Sequence, residues 1–93
     1  MRTIERSTTF KRDYKRETRG RYRATLDTEL LIVLNALASD KLLDARYRDH
    51  DLRGIWVGYR DCHVKPDLVL IYQKPDAKTL RLARLGSHSE LFD

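Results

Sequence analysis

The chain is expected to fold as an α+β sandwich, in which one strand and two helices precede three strands joined as an antiparallel meander, the order β-α-α-β-β-β. Three features predict this. Leu26, Leu30, Val33 and Leu37 recur at helical steps, so this stretch turns a broad apolar side to a core. Ile55, Val57 and Tyr59 alternate with Trp56, Gly58, Arg60 and Cys62 at strand spacing. Leu68-Val69-Leu70-Ile71-Tyr72 is apolar on both faces, as a strand covered on both sides requires.

In chain order, Thr3 to Ser7 carries β-branched residues suited to an opening strand. Ser7, Thr8 and Thr9 offer side-chain oxygens to cap the helix that follows. That helix is strongly charged, with Phe10 and Tyr14 four apart on one face, and Gly20 punctuates it. The second helix is predicted from Arg21 to Ala38. From Ser39 to His50 neither period persists, which predicts a loop. The strand from Ile55 comes next, then the apolar strand at Leu68. Pro75-Asp76-Ala77-Lys78 is a turn, Leu80 to Leu85 the last strand, and Ser87 after Gly86 caps a final helical turn ending at Leu91-Phe92. Short connections make the last three strands antiparallel neighbours, with both helices on one face. Residues 1–93 are read as a single domain, since so short a chain has room for one core.

The net charge of +5 is unevenly spread. Residues 1–23 hold nine Lys/Arg against three acids, while the rest of the chain is close to neutral. Such a segment meets polyanionic phosphates or an acidic partner, or is simply a solvated helix face. The lone Cys62 excludes an intrachain disulfide, suits a reducing compartment and reads as a packed strand residue. Met1-Arg2-Thr3-Ile4-Glu5-Arg6 lacks a signal-type apolar stretch, and Leu30 to Leu34 is far too short to span a bilayer. A cytoplasmic protein without membrane association is expected.

All three histidines sit in polar settings: Asp49-His50-Asp51, Asp61-Cys62-His63 and Gly86-Ser87-His88. Imidazole, with an unperturbed pKa of about 6.5, gives and takes protons near neutrality, so three on a basic chain suggest acid–base work on a phosphate. Pro66 sets a bend between His63 and Asp67, across which the two can face one another. There Asp67 either orients the imidazole or merely caps the turn. His88 lies in a Gly-Ser-His turn open to a ligand, although a loop histidine is often inert. Arg84 shares a strand face with Leu80 and Leu82 if alternation holds, either snorkelling to water or aimed at an anion. Metal binding is the rival chemistry, but no HxxxH or CxxC spacing supports it and no metal or cofactor is expected. The four glycines match no nucleotide-binding fingerprint.

Asp49-His50, Leu52, Gly54, Trp56, Gly58-Tyr59-Arg60-Asp61, His63-Val64, Pro66-Asp67, Leu70-Ile71-Tyr72, Arg84, Gly86, His88 and Leu91-Phe92 together resemble the YafQ branch of the RelE-type toxins of bacterial toxin–antitoxin pairs. The resemblance is dense from Tyr47 onward and rests on element order before it. It implies a RelE-like fold and a ribosome-dependent endoribonuclease that enters the decoding site beside 16S ribosomal RNA and cleaves the translated message. It implies functional roles for His50, His63, Asp67, Arg84, His88 and Phe92. Lys65 departs from the acidic residue associated with this turn, which bears on codon preference. A cognate DinJ-like antitoxin is implied, with operator DNA met only through the antitoxin complex.

The expected reaction is attack of an RNA 2′-hydroxyl on its own 3′-phosphate, giving a 2′,3′-cyclic phosphate and a 5′-hydroxyl without a metal. His88 is expected as the acid, and Asp67 with His63 or His50 as the base side. Arg84 is expected on the phosphate, and Lys65, Lys11, Arg12, Lys15 and Arg16 on the RNA backbone. Two other classes remain open at this level: a non-catalytic nucleic-acid-binding module, and a ParE-like toxin directed at gyrase.

Overall fold

The computed structural model describes residues 1–92. Strand β1 (Thr3–Arg6) leads to helices α1 (Thr8–Glu17) and α2 (Leu26–Ala38), strands β2 (His50–Asp51), β3 (Arg60–Lys65), β4 (Leu68–Gln73) and β5 (Thr79–Gly86), and a terminal helix α3 (His88–Phe92). The five strands lie in the order β1-β5-β4-β3-β2, with β1 parallel to β5 and the other neighbours antiparallel. The α+β class and the β3-β4-β5 meander are as the sequence predicts.

Two faces of the sheet are packed differently. Leu68, Leu70 and Tyr72 of β4 join Cys62, Val64, Leu80, Leu82 and Leu85 under the apolar sides of α1 and α2. Val69 and Ile71, on the opposite face, pack with Ala83, Leu91, Leu52, Trp56 and Tyr59. Only small elements cover this second side, and the three histidines stand on it.

Three local departures from the expected elements have physical causes. Helix α2 begins at Leu26 rather than Arg21, because Arg23 and Thr25 bond back three residues, to Gly20 and Tyr22, in successive turns. Its first core-facing side chain is Leu26, which is the point where burial begins to reward the helix. The strand expected from Ile55 does not form there. Gly54 and Gly58 adopt φ of +67 and +91, residues 54–56 make a 3₁₀ turn, and Ile55 is 95% exposed. Two left-handed glycines cannot sit in one extended segment, so pairing starts only at Arg60. Lastly, the loop expected to carry His50 ends as the short edge strand β2, which pairs His50 with Asp61 and Asp51 with Arg60.

A bulge in β5 is the feature with most consequence. Leu82 pairs with Tyr72 but Arg84 pairs with Ile71, leaving Ala83 as the extra residue. Arg84 therefore leaves the sheet on the Ile71 side, not with Leu80 and Leu82 as strict alternation predicts. Beyond Arg6 the edge of β5 has no strand beside it, and α1 covers it with side chains. Ser7 donates through its hydroxyl to the Ala83 carbonyl (2.8 Å), the Leu85 amide donates to Asp13 (3.0 Å), and Arg16 donates to the Leu85 carbonyl (2.9 Å). An open strand edge is thereby closed. No helix among the described residues is long and apolar enough to cross a membrane.

Candidate active site

The second sheet face gathers the histidines because register, not sequence proximity, aligns them. Asp61 pairs with Ile71 and His63 with Val69, so both side chains leave β3 on the side away from α1 and α2. His50 is Asp61's neighbour on β2, and His88 opens α3 directly after β5. The His63 and His88 ring centroids are 5.0 Å apart, and Phe92, one helical turn on, lies 5.8 Å from His88. Phe92 is 40% exposed and offers a ring face to a base.

Asp67 serves His88 rather than His63. Its Oδ1 accepts from the His88 backbone amide (3.2 Å) and lies 3.4 Å from Nδ1 of the same residue. The backbone bond, then the side-chain bond and charge of His88, hold the Asp67 carboxyl below its ordinary value. A carboxylate at Nδ1 orients the ring and leaves Nε2 to meet a ligand. At His50 the partner is the Arg48 carbonyl, 2.7 Å from Nδ1. A carbonyl only accepts, so Nδ1 carries the hydrogen and Nε2 of the neutral ring keeps its lone pair.

Asp61 is the residue that sequence reasoning passed over. It is 2% exposed, and Oδ1 stands 3.2 Å from His50 Nδ1. The ring hydrogen points to Arg48 instead, so among the described residues Oδ1 has no hydrogen-bond partner. Burial pushes the Asp61 carboxyl up, while the charges of His50, His63 and His88 pull it down. One buried carboxylate thus feels all three imidazoles. The available signal was its spacing of two from His63 along one strand, which places both on one face.

The strand carrying His50 is only two residues long, and it is held by a clamp. Asp49 accepts from Nε and Nη2 of Arg60 (3.3 and 3.1 Å) and from the hydroxyl of Tyr72, which is 1% exposed. Burial first, and then the bond to Asp49, push the Tyr72 hydroxyl up, so it stays a neutral donor. Tyr72→Phe removes one anchor of β2. We expect a loss of about 1 kcal/mol in stability, the net worth of one such bond, with a several-fold fall in site activity. Denaturant unfolding beside cleavage rates checks this; a variant unchanged in both would show that Asp49 needs only Arg60.

The expected cationic residues have divergent fates. Arg84 donates to Asp13 through Nε (2.7 Å) and Nη2 (3.1 Å), so most of its guanidinium is engaged. Arg16 is drawn into the same network, touching Asp13, Glu17 and Glu90. Lys11 lines a groove between α1 and α2, while Arg12 and Lys15 are exposed on α1 with no ion-pair partner among the described residues. Lys65 reaches toward Glu29, 3.7 Å away. Cys62 is fully buried, and burial pushes its thiol far up, so it is a packing residue. Among the described residues no group of three or more His, Cys, Asp or Glu is disposed to hold a metal ion.

A mixed sheet with α1 and α2 on one side, and histidines with carboxylates on the other, is the design of a small bacterial toxin of the type II toxin–antitoxin class. Within that class the chain belongs to the YafQ family, whose model, described as bacterial toxin of type II toxin–antitoxin system, YafQ, matches residues 2–93. It is 38% identical over 91 residues to the mRNA interferase toxin YafQ of Escherichia coli strain K12, covering 96% of this chain and 98% of the relative. A crystal structure of an E. coli DinJ–YafQ complex superposes with a TM-score of 0.84 at 38% identity, covering 100% of both chains. A metal-bound toxin from Helicobacter pylori superposes with a TM-score of 0.81 at 43% identity, covering 99% of this chain and 100% of that one.

Proposed function

We propose that this chain is an mRNA interferase, a toxin of one domain spanning residues 1–93 that cuts translated messages on the ribosome and so stops translation in the cytoplasm. The observation that carries the reading is the line of His50, Asp61, His63 and His88 on the sheet face away from α1 and α2, ending in the Asp67 carboxylate and the Phe92 ring. Membership of a family whose E. coli relative is an mRNA interferase supports it.

In this reading an RNA 2′-oxygen attacks its own 3′-phosphorus while a histidine removes the 2′-hydroxyl proton. The bond from phosphorus to the 5′-oxygen breaks, and that oxygen takes a proton from the acid. The products are a 2′,3′-cyclic phosphate and a 5′-hydroxyl, and none of these steps calls on a metal. We assign His88 as the acid, because Asp67 at Nδ1 fixes the ring and leaves Nε2 to face the leaving oxygen. His50 and His63 form the base side, and the lone pair on His50 Nε2 favours the former. The bond between Asp67 and His88 argues for moving Asp67 from the base side to the support of the acid. Asp61, 3.2 Å from His50 Nδ1, helps to hold that ring in place for the base role. Arg84 has its Nη1 group left to reach the phosphate, and Phe92 stacks on a base.

So small a protein gains from a particle that holds its substrate ready, since fixing attack geometry removes a large part of the barrier. The ribosomal decoding site with its 16S RNA is that particle, and Lys11, Arg12 and Lys15 are its contacts on α1. A DinJ-like antitoxin is the natural protein partner, given the complex formed by the E. coli relative; operator DNA is reached only through that complex. The test is primer extension on a defined message in a purified translation system, with and without ribosomes. Cuts at discrete codon positions that need ribosomes and carry 2′,3′-cyclic ends are expected. Uncut message with folded protein would overturn the reading.

A further inference from the structure

Behind His63, between the start of α2, the turn at residues 45–48 and the end of β3, lies a cavity of about 330 Å³. Its walls bring together Arg46, Arg48, Lys65 and Glu29, with His63 at one side. None of the three cations belongs to the acid–base line; Arg46 and Arg48 come from one turn and Lys65 from the end of β3. Three positive charges against one carboxylate leave the cavity cationic. Its size is at the small end of ligand sites, about 300–1,000 Å³.

The cations are held open rather than neutralised. Arg46 donates to the Tyr47 hydroxyl (2.7 Å) and lies over that ring at 4.7 Å, so its guanidinium is fixed by a neutral partner. Arg48 has no ion-pair partner among the described residues. Among the described residues Lys65 has only Glu29, at a long 3.7 Å. Arg48 also takes a left-handed conformation, with φ of +50, and that turn aims its carbonyl at His50. A non-glycine residue is rarely held there without a reason in its surroundings. The same residue thus fixes a catalytic imidazole through its backbone and offers a charge to the cavity through its side chain.

We propose that this cavity is a second phosphate subsite, in which Arg46, Arg48 and Lys65 grip the RNA phosphodiester next to the one being cleaved. The subsite rests on the reading of the protein as an RNA-cleaving toxin. It fixes the register of the message, because a phosphate seated behind His63 sets which linkage lies between His63 and His88. Phosphate contacts position a nucleic acid without reading its bases. Lys65 thereby acts on cleavage position through register rather than through base contact.

The experiment is a coupling cycle on ribosome-bound message. Single methylphosphonate linkages, which carry no charge, are placed on either side of the cut, and KM is compared for wild type, Arg48→Gln, Lys65→Gln and the double variant. With the wild type, one neutral linkage is expected to raise KM about tenfold, the size of one charge-assisted hydrogen bond. The double variant should respond to the same linkage less than twofold. Equal responses in wild type and variants would overturn the subsite. Variants that weaken equally toward ribosomes without message would likewise overturn it, assigning the cations to ribosomal RNA. Unmodified message left uncut by the wild type would overturn the nuclease reading and this subsite together.

Discussion

Replacing His88 with Ala is expected to lower single-turnover cleavage on programmed ribosomes by about 10²–10⁴-fold, the span for loss of a positioned proton donor. The expectation follows from contacts on both sides of the ring. Asp67 fixes Nδ1 and the backbone amide together, which sets the imidazole angle, and His63 and Phe92 flank the ring faces at 5.0 and 5.8 Å. Removing the ring also leaves a gap between His63 and Phe92. Asp67→Asn keeps an acceptor near Nδ1 but removes the charge, so a smaller loss is expected. Asp67 titrates below its ordinary value, chiefly through the His88 amide bond. Its charge is therefore constant across neutral pH, and any rate change near neutrality belongs to other groups. A His88→Ala protein that cuts within tenfold of wild type, with unchanged unfolding, would remove His88 from the acid role.

The histidines were legible in the sequence because imidazole is chemically distinctive wherever it stands. Their mutual arrangement was not, because it depends on pairing register. His63 and Asp67 look like partners across a bend, yet the carboxylate bonds His88, which the sheet delivers from the far end of β5. Asp61 was hidden in a strand that reads as ordinary alternation, and only the register opposite Ile71 reveals that it is buried among three rings. The bulge at Ala83 has no clear sequence mark, and it alone moves Arg84 to the other face. Glycines 54 and 58 were readable as warnings, since both break the strand that the apolar spacing of Ile55 and Val57 suggests. Core positions such as Val33, Leu70 and Leu82 emerge buried as periodicity predicts, because burial is what periodicity encodes.

Asp13→Ala is expected to cost about 2–4 kcal/mol of stability. Asp13 is 2% exposed and meets three donors at once: Arg84 at 2.7 and 3.1 Å, Arg16 at 3.0 Å, and the Leu85 amide at 3.0 Å. Truncation leaves a half-buried guanidinium uncompensated and a buried strand-edge amide unpaired. Burial alone would push the Asp13 carboxyl up. The Arg84 and Leu85 bonds and the charges of Arg84 and Arg16 outweigh it and hold the group below its ordinary 3.8. A depressed folded value means that its stabilisation is fully present above the unfolded value, about 3.9, and is lost as pH falls through the folded one. The gap between wild type and Asp13→Ala should thus be constant from pH 7 to about 5 and narrow only below about 4. Asp61 has the opposite sign, since burial raises it, and its ionised form burdens the fold as pH rises. Asp61→Asn should therefore gain stability toward neutral pH while losing cleavage, as expected of a charge kept for the site rather than for the fold. Denaturant unfolding of both variants between pH 3 and 8 separates the two carboxylates. A constant Asp13→Ala gap down to pH 3 would mean that the Arg84 pair does not hold the carboxyl down, and Asp61→Asn losing stability at pH 7 would mean that Asp61 has a partner in the fold.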